Sequence, residues 1–115
     1  MKTIKIGIMP QDRIRARVLA IARGELQPKP SDPKIWFTSM RSLAQVLSDE
    51  NRELLRVIRD TNPPSISALA QTTGRPSRNL SRQLRTMSNF GLVEMRREQN
   101  HVRPVAKGTE FSILA

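Results

Sequence analysis

The sequence predicts an α+β fold that is mainly helical. Apolar residues recur at helical spacing in several segments between about residues 13 and 89, and prolines, glycines or capping residues bound these segments. Apolar and polar residues alternate near the amino terminus and again after residue 92, which is typical of strands. With 115 residues, the chain is long enough for one compact domain with its own core.

Composition excludes several function classes. There is no cysteine and only one histidine, so thiolate chemistry, disulfides and the common zinc sites are not expected. No phosphate-binding loop, dinucleotide fingerprint, metalloprotease motif or nucleophile elbow occurs. We therefore expect no enzymatic activity, no catalytic residues, no metal and no cofactor.

The net charge of +10, from 20 basic and 10 acidic residues, favours a polyanionic partner. Aromatic residues make up only 3% of the chain, which disfavours RNA recognition by base stacking relative to duplex DNA. No apolar run is long enough to cross a bilayer, and residues 1–9 lack a signal-peptide cleavage site. We expect a cytoplasmic protein with no membrane partner.

The first element of a predicted N-terminal extension, residues 1–47, is a half-buried strand. It is predicted by the alternation of Ile4, Ile6 and Ile8 with polar or small residues, and Pro10 ends it. A short helix from about residue 13 to 22 follows, capped by Asp12. Its predicted buried face is Ile14, Val18 and Ile21.

The remainder of the extension begins with a proline-rich connector after Gly24. Residues 35–37, the densest aromatic cluster, form a short strand that can pair with the first one. Thr38 or Ser39 then caps a helix that ends near residue 47. The apolar residues of the extension have three open roles: a dimer interface, which we weigh first, a partner interface, or a cover for the helical core. These residues are Ile4, Ile6, Ile8, Trp36 and Phe37.

Residues 48–107 form the second predicted unit. Its first helix, from about residue 49 to 60, is capped by Ser48 and buries Leu54, Leu55 and Ile58. A shorter helix from residue 68 to 73 is predicted next, capped by Ser67, with Gly74 at the following turn.

The next predicted helix runs from residue 77 to 89, starting at Ser77 as cap or with Pro76 in its first turn. At 100° per residue, its apolar and basic residues lie on opposite sides. The apolar side is Leu80, Leu84 and Met87, and the basic side is Arg78, Arg82 and Arg85. Two helices joined by a glycine turn predict a helix-turn-helix.

The basic side of this helix has no acidic residue near it in the sequence. No Asp or Glu occurs between Asp60 and Glu94. A merely solvated face would normally mix charge signs, and arginine suits phosphate oxygens and guanine edges. We therefore predict a DNA-contacting surface. It comprises Arg75, Ser77, Arg78, Asn79, Ser81, Arg82 and Arg85.

A basic β-hairpin is predicted after the second helix, with strands at residues 92–97 and 102–106 and with Pro104 indicating an edge strand. A hairpin in this position is the wing of a winged helix-turn-helix. The predicted wing contacts to DNA are Arg96, Arg97, Asn100, His101 and Arg103. A last strand is predicted within residues 108–115.

The segment ISALAQTTGRPSRNLSRQLRTMSNFGLV resembles the winged helix-turn-helix domains of MarR-like transcriptional regulators. The flanking segments RVLAIARGE, IWFTSMRSLAQVLSDENRELLRVI and VRPVAKGTEFSIL resemble one subgroup, the small prokaryotic DNA-binding antitoxins that are TumA-like. Larger MarR proteins dimerise through longer terminal helices, which this chain replaces with its extension. Their dimer geometry is therefore not carried over.

The resemblance implies a repressor that binds double-stranded operator DNA as a homodimer. For the antitoxin subgroup it further implies direct binding of a cognate toxin protein and autoregulation of the shared operon. The alternative is a MarR-like transcriptional regulator with no toxin partner.

Overall fold

The computed structural model of the protein describes residues 3–115, so the first two residues of the predicted extension lie outside the described residues. The elements run in the order β1 (Ile4–Ile8), α1 (Gln11–Ala22), β2 (Ile35–Phe37), α2 (Met40–Val46), α3 (Asp49–Thr61), α4 (Ile66–Thr73), α5 (Ser77–Asn89), β3 (Val93–Glu98), β4 (His101–Ala106) and β5 (Phe111–Leu114). The predicted α+β class is confirmed. No helix within this range is both long and apolar enough to cross a membrane.

The two ends of the chain meet in one parallel sheet with the strand order β2-β1-β5. Ile6 of β1 lies opposite Ile35 of β2 on one side and Ile113 of β5 on the other. The predicted pairing of residues 35–37 with the first strand is therefore confirmed. Parallel neighbours require crossover connections. Here α1 connects β1 to β2, and all the remaining helices and the hairpin lie between β2 and β5.

One face of this sheet belongs to the hydrophobic core. Ile6 and Phe37 are fully buried and share one cluster with residues of α2, α3, α4 and α5. The ring of Phe37 stacks on that of Phe90, directly after α5, with 4.4 Å between the centroids. The N-terminal extension and the helices therefore share a single core.

This burial corrects part of the predicted interface. The side chains of Ile6 and Phe37 are 0% and 1% exposed, so neither is accessible to a dimer or toxin partner. Of the three roles that the sequence left open, these two residues take the third and cover the helical core. Ile4, Ile8 and Trp36 are half-buried.

On the opposite face of the sheet, the side chains of Trp36 and Arg17 are stacked over the backbone of Gly7. The indole of Trp36 lies against Gly7, and the guanidinium of Arg17 lies 5.4 Å from the centroid of the indole ring. Arg17 also donates a hydrogen bond to Asp32 at 3.2 Å. A hydrogen bond from the Lys29 backbone N–H, together with the one from Arg17, holds the pKa of Asp32 below its usual value.

The predicted buried face of α1 is wrong. No residue of α1 is buried, and Val18 is 59% exposed. Helical periodicity reports which residues share a face, but it does not report what lies against that face. Here Arg17 makes the stacking contact with the sheet through Trp36. The predicted cap is also wrong, because α1 begins at Gln11 after Pro10 and receives no side-chain cap.

We expect Gly7→Ala to destabilise the protein by roughly 1–3 kcal/mol, as overpacking substitutions typically do. A Cβ at this position would overlap the indole ring of Trp36. The indole would have to move, and its contact with Arg17 would be lost. Urea denaturation followed by Trp36 fluorescence measures both effects. Unchanged stability and an unchanged emission spectrum would show that the ring does not lie over Gly7.

Serine side chains cap three of the helices. Ser39, Ser48 and Ser65 begin α2, α3 and α4, and each hydroxyl accepts a hydrogen bond from the backbone N–H three residues later. The cap at Ser48 was predicted, and Ser39 is one of the two predicted alternatives, Thr38 or Ser39. The third was assigned to Ser67, but α4 begins at Ile66, two residues earlier than predicted, and Ser65 is its cap.

The turn between α4 and α5 is tight. Gly74 ends α4 in the left-handed region with φ of +72°, and its N–H donates to the carbonyl of Ala70. Pro76 is the N-cap residue of α5, so Ser77 is the first helical residue and not the cap. After α5, β3 and β4 pair antiparallel through a turn at Gln99 and Asn100. The hairpin is confirmed, with three of its four boundaries shifted by one residue and the end at Ala106 as predicted.

Candidate nucleic-acid interface

The helix α5 has one fully buried side and one exposed side. Leu80, Leu84 and Met87 are each 0% exposed and fix the helix to the core, as the helical wheel predicted. Burial of such side chains is worth about 1.5–3 kcal/mol each. The orientation of α5 about its own axis is therefore strongly determined.

The exposed side of α5 presents the arginine row, which we define as Arg78, Arg82 and Arg85. All three side chains are exposed, and no carboxylate of residues 3–115 lies within 4.0 Å of their nitrogens. At 1.5 Å rise per residue, the row extends over about 10 Å. This length is comparable with the width of the major groove of B-DNA, about 12 Å.

The start of α5 adds backbone donors to the arginine row. The first residues of a helix have N–H groups without intrahelical acceptors. Pro76 provides no side-chain cap, and the first turn holds no acidic residue. Ser77 and Asn79 are exposed beside these N–H groups, and Ser81 is half-buried. The N–H groups at this end of the helix can therefore donate hydrogen bonds to an anionic oxygen.

Arg75 points away from the arginine row. Its Nη1 lies 3.5 Å from Oε1 of Glu50 on α3, and the side chain is only 27% exposed. Gln83 of α5 donates to the same carboxylate oxygen at 3.4 Å. In this structure Arg75 therefore connects the turn to α3 and is not available as a free DNA contact, unlike the other arginines predicted with it. The sequence analysis did not predict Glu50 as part of this region, because its position in the first turn of α3 already gave the carboxylate a structural role.

The β3–β4 hairpin carries ion pairs on its outer face. Glu94 lies 3.1 Å from Nε of Arg96 and 3.6 Å from Nζ of Lys107. Glu98 lies 2.7 Å from Nε of Arg103 and 3.7 Å from Nε2 of His101. Hydrogen bonds from the guanidinium groups lower the pKa of both glutamates. Three of the five predicted wing contacts, Arg96, His101 and Arg103, are thus already paired.

Arg97 and Asn100 are the free members of the predicted wing set. Arg97 lies opposite Val102 in the hairpin, on the same face as Met95 and Pro104, which face the helices. Because Arg97 lies near the tip, its side chain is nevertheless exposed, and no carboxylate of the described chain pairs with it. The unpaired positive charge of the hairpin is therefore concentrated at its tip.

No group of three or more His, Cys, Asp or Glu side chains in the described part of the chain is arranged to hold a metal ion. What distinguishes this surface is one firmly anchored helix with an acid-free arginine row, followed by a hairpin with a free arginine at its tip.

These features define a small α+β domain with an exposed arginine row on α5. Residues 46–113 match the model of the HVO_A0114 family. The match covers more than half of the chain, so the protein belongs to the HVO_A0114 family. It includes α3, α4, α5, the hairpin and most of β5. No curated protein matches the chain.

Proposed function

We propose that this protein is a sequence-specific DNA-binding transcriptional regulator, a repressor built on a winged helix-turn-helix. The carrying observation is the arginine row of α5, which is exposed and has no acidic partner within residues 3–115, while the other side of the helix is fully buried. In this proposal α4 and α5 are the helix-turn-helix, α5 is the recognition helix, and β3 and β4 are the wing.

In this proposal, different parts of the surface make different contacts to DNA. The first turn of α5 has free backbone N–H groups and Arg78, which suit contacts to phosphates and base edges. Arg82 and Arg85 can each donate two parallel hydrogen bonds to a guanine edge or to a phosphate. Arg97 at the hairpin tip suits a flanking phosphate and positions the domain without reading sequence.

The wing ion pairs do not oppose this proposal. The side chains of Glu94 and Glu98 are each 43% exposed, and ion pairs that are open to solvent contribute little to stability. Arg96 and Arg103 can therefore exchange a carboxylate for a phosphate at low cost. They contribute less to affinity than a free cation does, because the carboxylates remain nearby.

We expect DNA binding to depend steeply on salt. The described interface presents four unpaired cations, Arg78, Arg82, Arg85 and Arg97. Each protomer that binds would release about four counterions through them, which gives a slope of log K against log salt near −3.6 per protomer. Affinity would then fall roughly 150-fold between 50 and 200 mM salt. Fluorescence anisotropy with a labelled duplex from the promoter upstream of the encoding gene measures this slope. A slope near zero would exclude phosphate contacts as the basis of binding.

Competition with RNA tests the choice of nucleic acid. Single-stranded RNA is usually held by aromatic platforms, and the described surface around α5 presents none. Unlabelled promoter duplex should displace the labelled duplex at much lower concentration than RNA of the same sequence does. Equal competition would reject sequence-specific duplex recognition.

A toxin-binding role is a second candidate and is compatible with the first. One observation favours it: α1 has no buried residue and exposes Val18 and Leu19, at 59% and 46%. A partner protein could cover this apolar surface. Co-expression with the neighbouring gene tests it. An antitoxin is supported if the neighbouring gene is toxic and this protein relieves the toxicity, but the variant with Val18→Lys and Leu19→Lys does not. If the neighbouring gene is harmless, the protein is a regulator without a toxin.

A further inference from the structure

The parallel sheet has one open edge, at β5. This strand has β1 on one side and no described strand on the other. The N–H of Ile4 donates to the carbonyl of Glu110 at 2.9 Å, and Ile4 lies opposite Phe111. In a parallel ladder, the backbone groups of Ser112 then face β1, while those of Phe111 and Ile113 face away. We name this outward side the β5 edge.

The β5 edge lacks the features that normally prevent strand pairing. Its residues, Phe111–Leu114, include no charge and no proline, and β5 pairs with β1 in continuous register without a bulge. Apolar side chains are also concentrated around it. Met40, Ile113 and Leu114 are 57%, 47% and 65% exposed, and they are half of the large apolar side chains exposed in residues 3–115. This edge is therefore suited to further pairing.

A groove of about 650 Å³ runs beside the β5 edge, between β5, α2 and α3. Met40 and Ile113 line it, together with three arginines of α3. Each arginine already has a carboxylate within 4.0 Å. The pairs are Arg52 with Asp49, Arg56 with Glu53, and Arg59 with Asp60. The rim is thus locally close to neutral and does not select an acidic ligand, so the apolar lining and the open backbone determine what fits.

We propose that the β5 edge pairs antiparallel with the β5 edge of a second copy of this chain, about a twofold axis at Ser112. In this register Phe111 lies opposite the partner's Ile113, and the two residues exchange both backbone hydrogen bonds. By the twofold symmetry, Ile113 and the partner's Phe111 also exchange both backbone hydrogen bonds. Four hydrogen bonds join the copies, and the two sheets become one sheet of six strands.

The spacing of the outward-facing residues favours a second copy as the occupant. Phe111 and Ile113, whose backbone groups face outward, lie on either side of Ser112. Two copies related by a twofold axis at Ser112 can therefore pair these groups with each other, as a twofold interface requires. Phe111 and Ile113 point to the core face of the sheet, so the pairing brings apolar side chains of both copies together beside Met40. At the axis, only the small Ser112 faces its own copy. The β2 edge is shorter, with three residues, and offers less backbone.

The pairing of the two β5 edges does not require DNA. In the proposed function, it would supply the dimer that binds DNA. Helix-turn-helix proteins commonly bind two half-sites as twofold dimers. The predicted homodimer would then use β5 rather than Ile6 and Phe37, which are buried. A molar-mass measurement without DNA separates failure of this interface from failure of DNA binding.

Ile113→Pro tests the interface directly. The N–H of Ile113 faces away from β1, so its removal leaves the β1–β5 hydrogen bonds in place, and proline is tolerated at such positions. We expect light scattering at tens of micromolar to give twice the chain mass of 13.1 kDa for the wild type and the single chain mass for the variant. Val18→Lys on α1, exposed and far along the chain from β5, should remain dimeric.

Two further variants keep the test decisive if Ile113→Pro does not fold. Ile113→Lys places a charge on the edge and should also be monomeric, with an unchanged circular dichroism spectrum. The chain has no cysteine, so Ser112→Cys introduces a single thiol. Residues facing each other at such a position have Cα atoms about 4.5 Å apart, which permits a disulfide. Mild oxidation should link the Ser112→Cys dimer, whereas Ala16→Cys on α1 should stay unlinked.

Three results would overturn the inference. The wild type could run as a monomer at about 100 μM, which would leave the edge to a strand of another protein. Folded Ile113→Lys could dimerise as the wild type does. Ser112→Cys could fail to cross-link under conditions in which the chain is dimeric.

Discussion

Replacing Arg82 and Arg85 together with alanine is expected to weaken binding to the promoter duplex by at least about 30-fold. Each arginine contact to a base or phosphate contributes about 1–3 kcal/mol, and 1.4 kcal/mol corresponds to tenfold in affinity. Both side chains are exposed on α5 and contact no acidic partner in the described chain. Melting temperature should therefore stay close to that of the parent. Fluorescence anisotropy gives the affinity, and circular dichroism gives the melting temperature.

The matched control for this experiment is Arg13→Ala combined with Arg15→Ala. These arginines are also exposed and unpaired in the described chain, but they lie on α1. Both double variants lose the same charge, from +10 to +8. We expect the α1 variant to keep most of its affinity. Equal losses would mean that binding follows net charge alone, and parental affinity of the α5 variant would exclude α5 as the recognition helix.

Phe37→Ala is expected to remove about 3–5 kcal/mol from the free energy of unfolding, as truncation of a buried aromatic residue usually does. The ring is 1% exposed and stacks on Phe90 at the end of α5. Small domains are stable by only about 5–15 kcal/mol, so this loss is a large fraction of the total. Urea denaturation monitored by circular dichroism measures it.

Val18→Ala is the control for Phe37→Ala. Val18 lies on α1 and is 59% exposed, so its truncation should change stability by less than about 0.5 kcal/mol. If Phe37→Ala unfolds at the same urea concentration as the parent, β2 does not belong to the core. The N-terminal extension would then be a separate layer and not part of one cooperative unit.

The α5 helix was predicted closely because two local signals agree there. Three apolar residues at helical spacing determine the buried side, and the structure buries all three completely. The helix ends at Asn89 as predicted, and the chain turns at Gly91, which has φ of +79°. The exposure of Arg78, Arg82 and Arg85 follows directly from the burial of the opposite side.

Other features depend on residues far apart in the chain, and local patterns do not encode them. The parallel pairing of Ile4 with Phe111 joins the two ends of the sequence. The contact between Arg75 and Glu50 joins the α4–α5 turn to α3. The sequence predicted Arg75 as a surface residue and a last strand within residues 108–115, but it gave no partner for either. The cap of α4 was predicted at Ser67 and lies at Ser65, because both serines precede the same apolar run and the local pattern favoured the wrong one.

The central claim is that α5 reads duplex DNA through the arginine row. Selection of binding sites from a random duplex pool tests it most directly, with the wild type and the Arg82→Ala, Arg85→Ala variant run in parallel. We expect the wild type to enrich one motif that contains guanine at its contacted positions, and the variant to enrich none. No enrichment by the wild type, or the same motif enriched by both proteins, would contradict the claim.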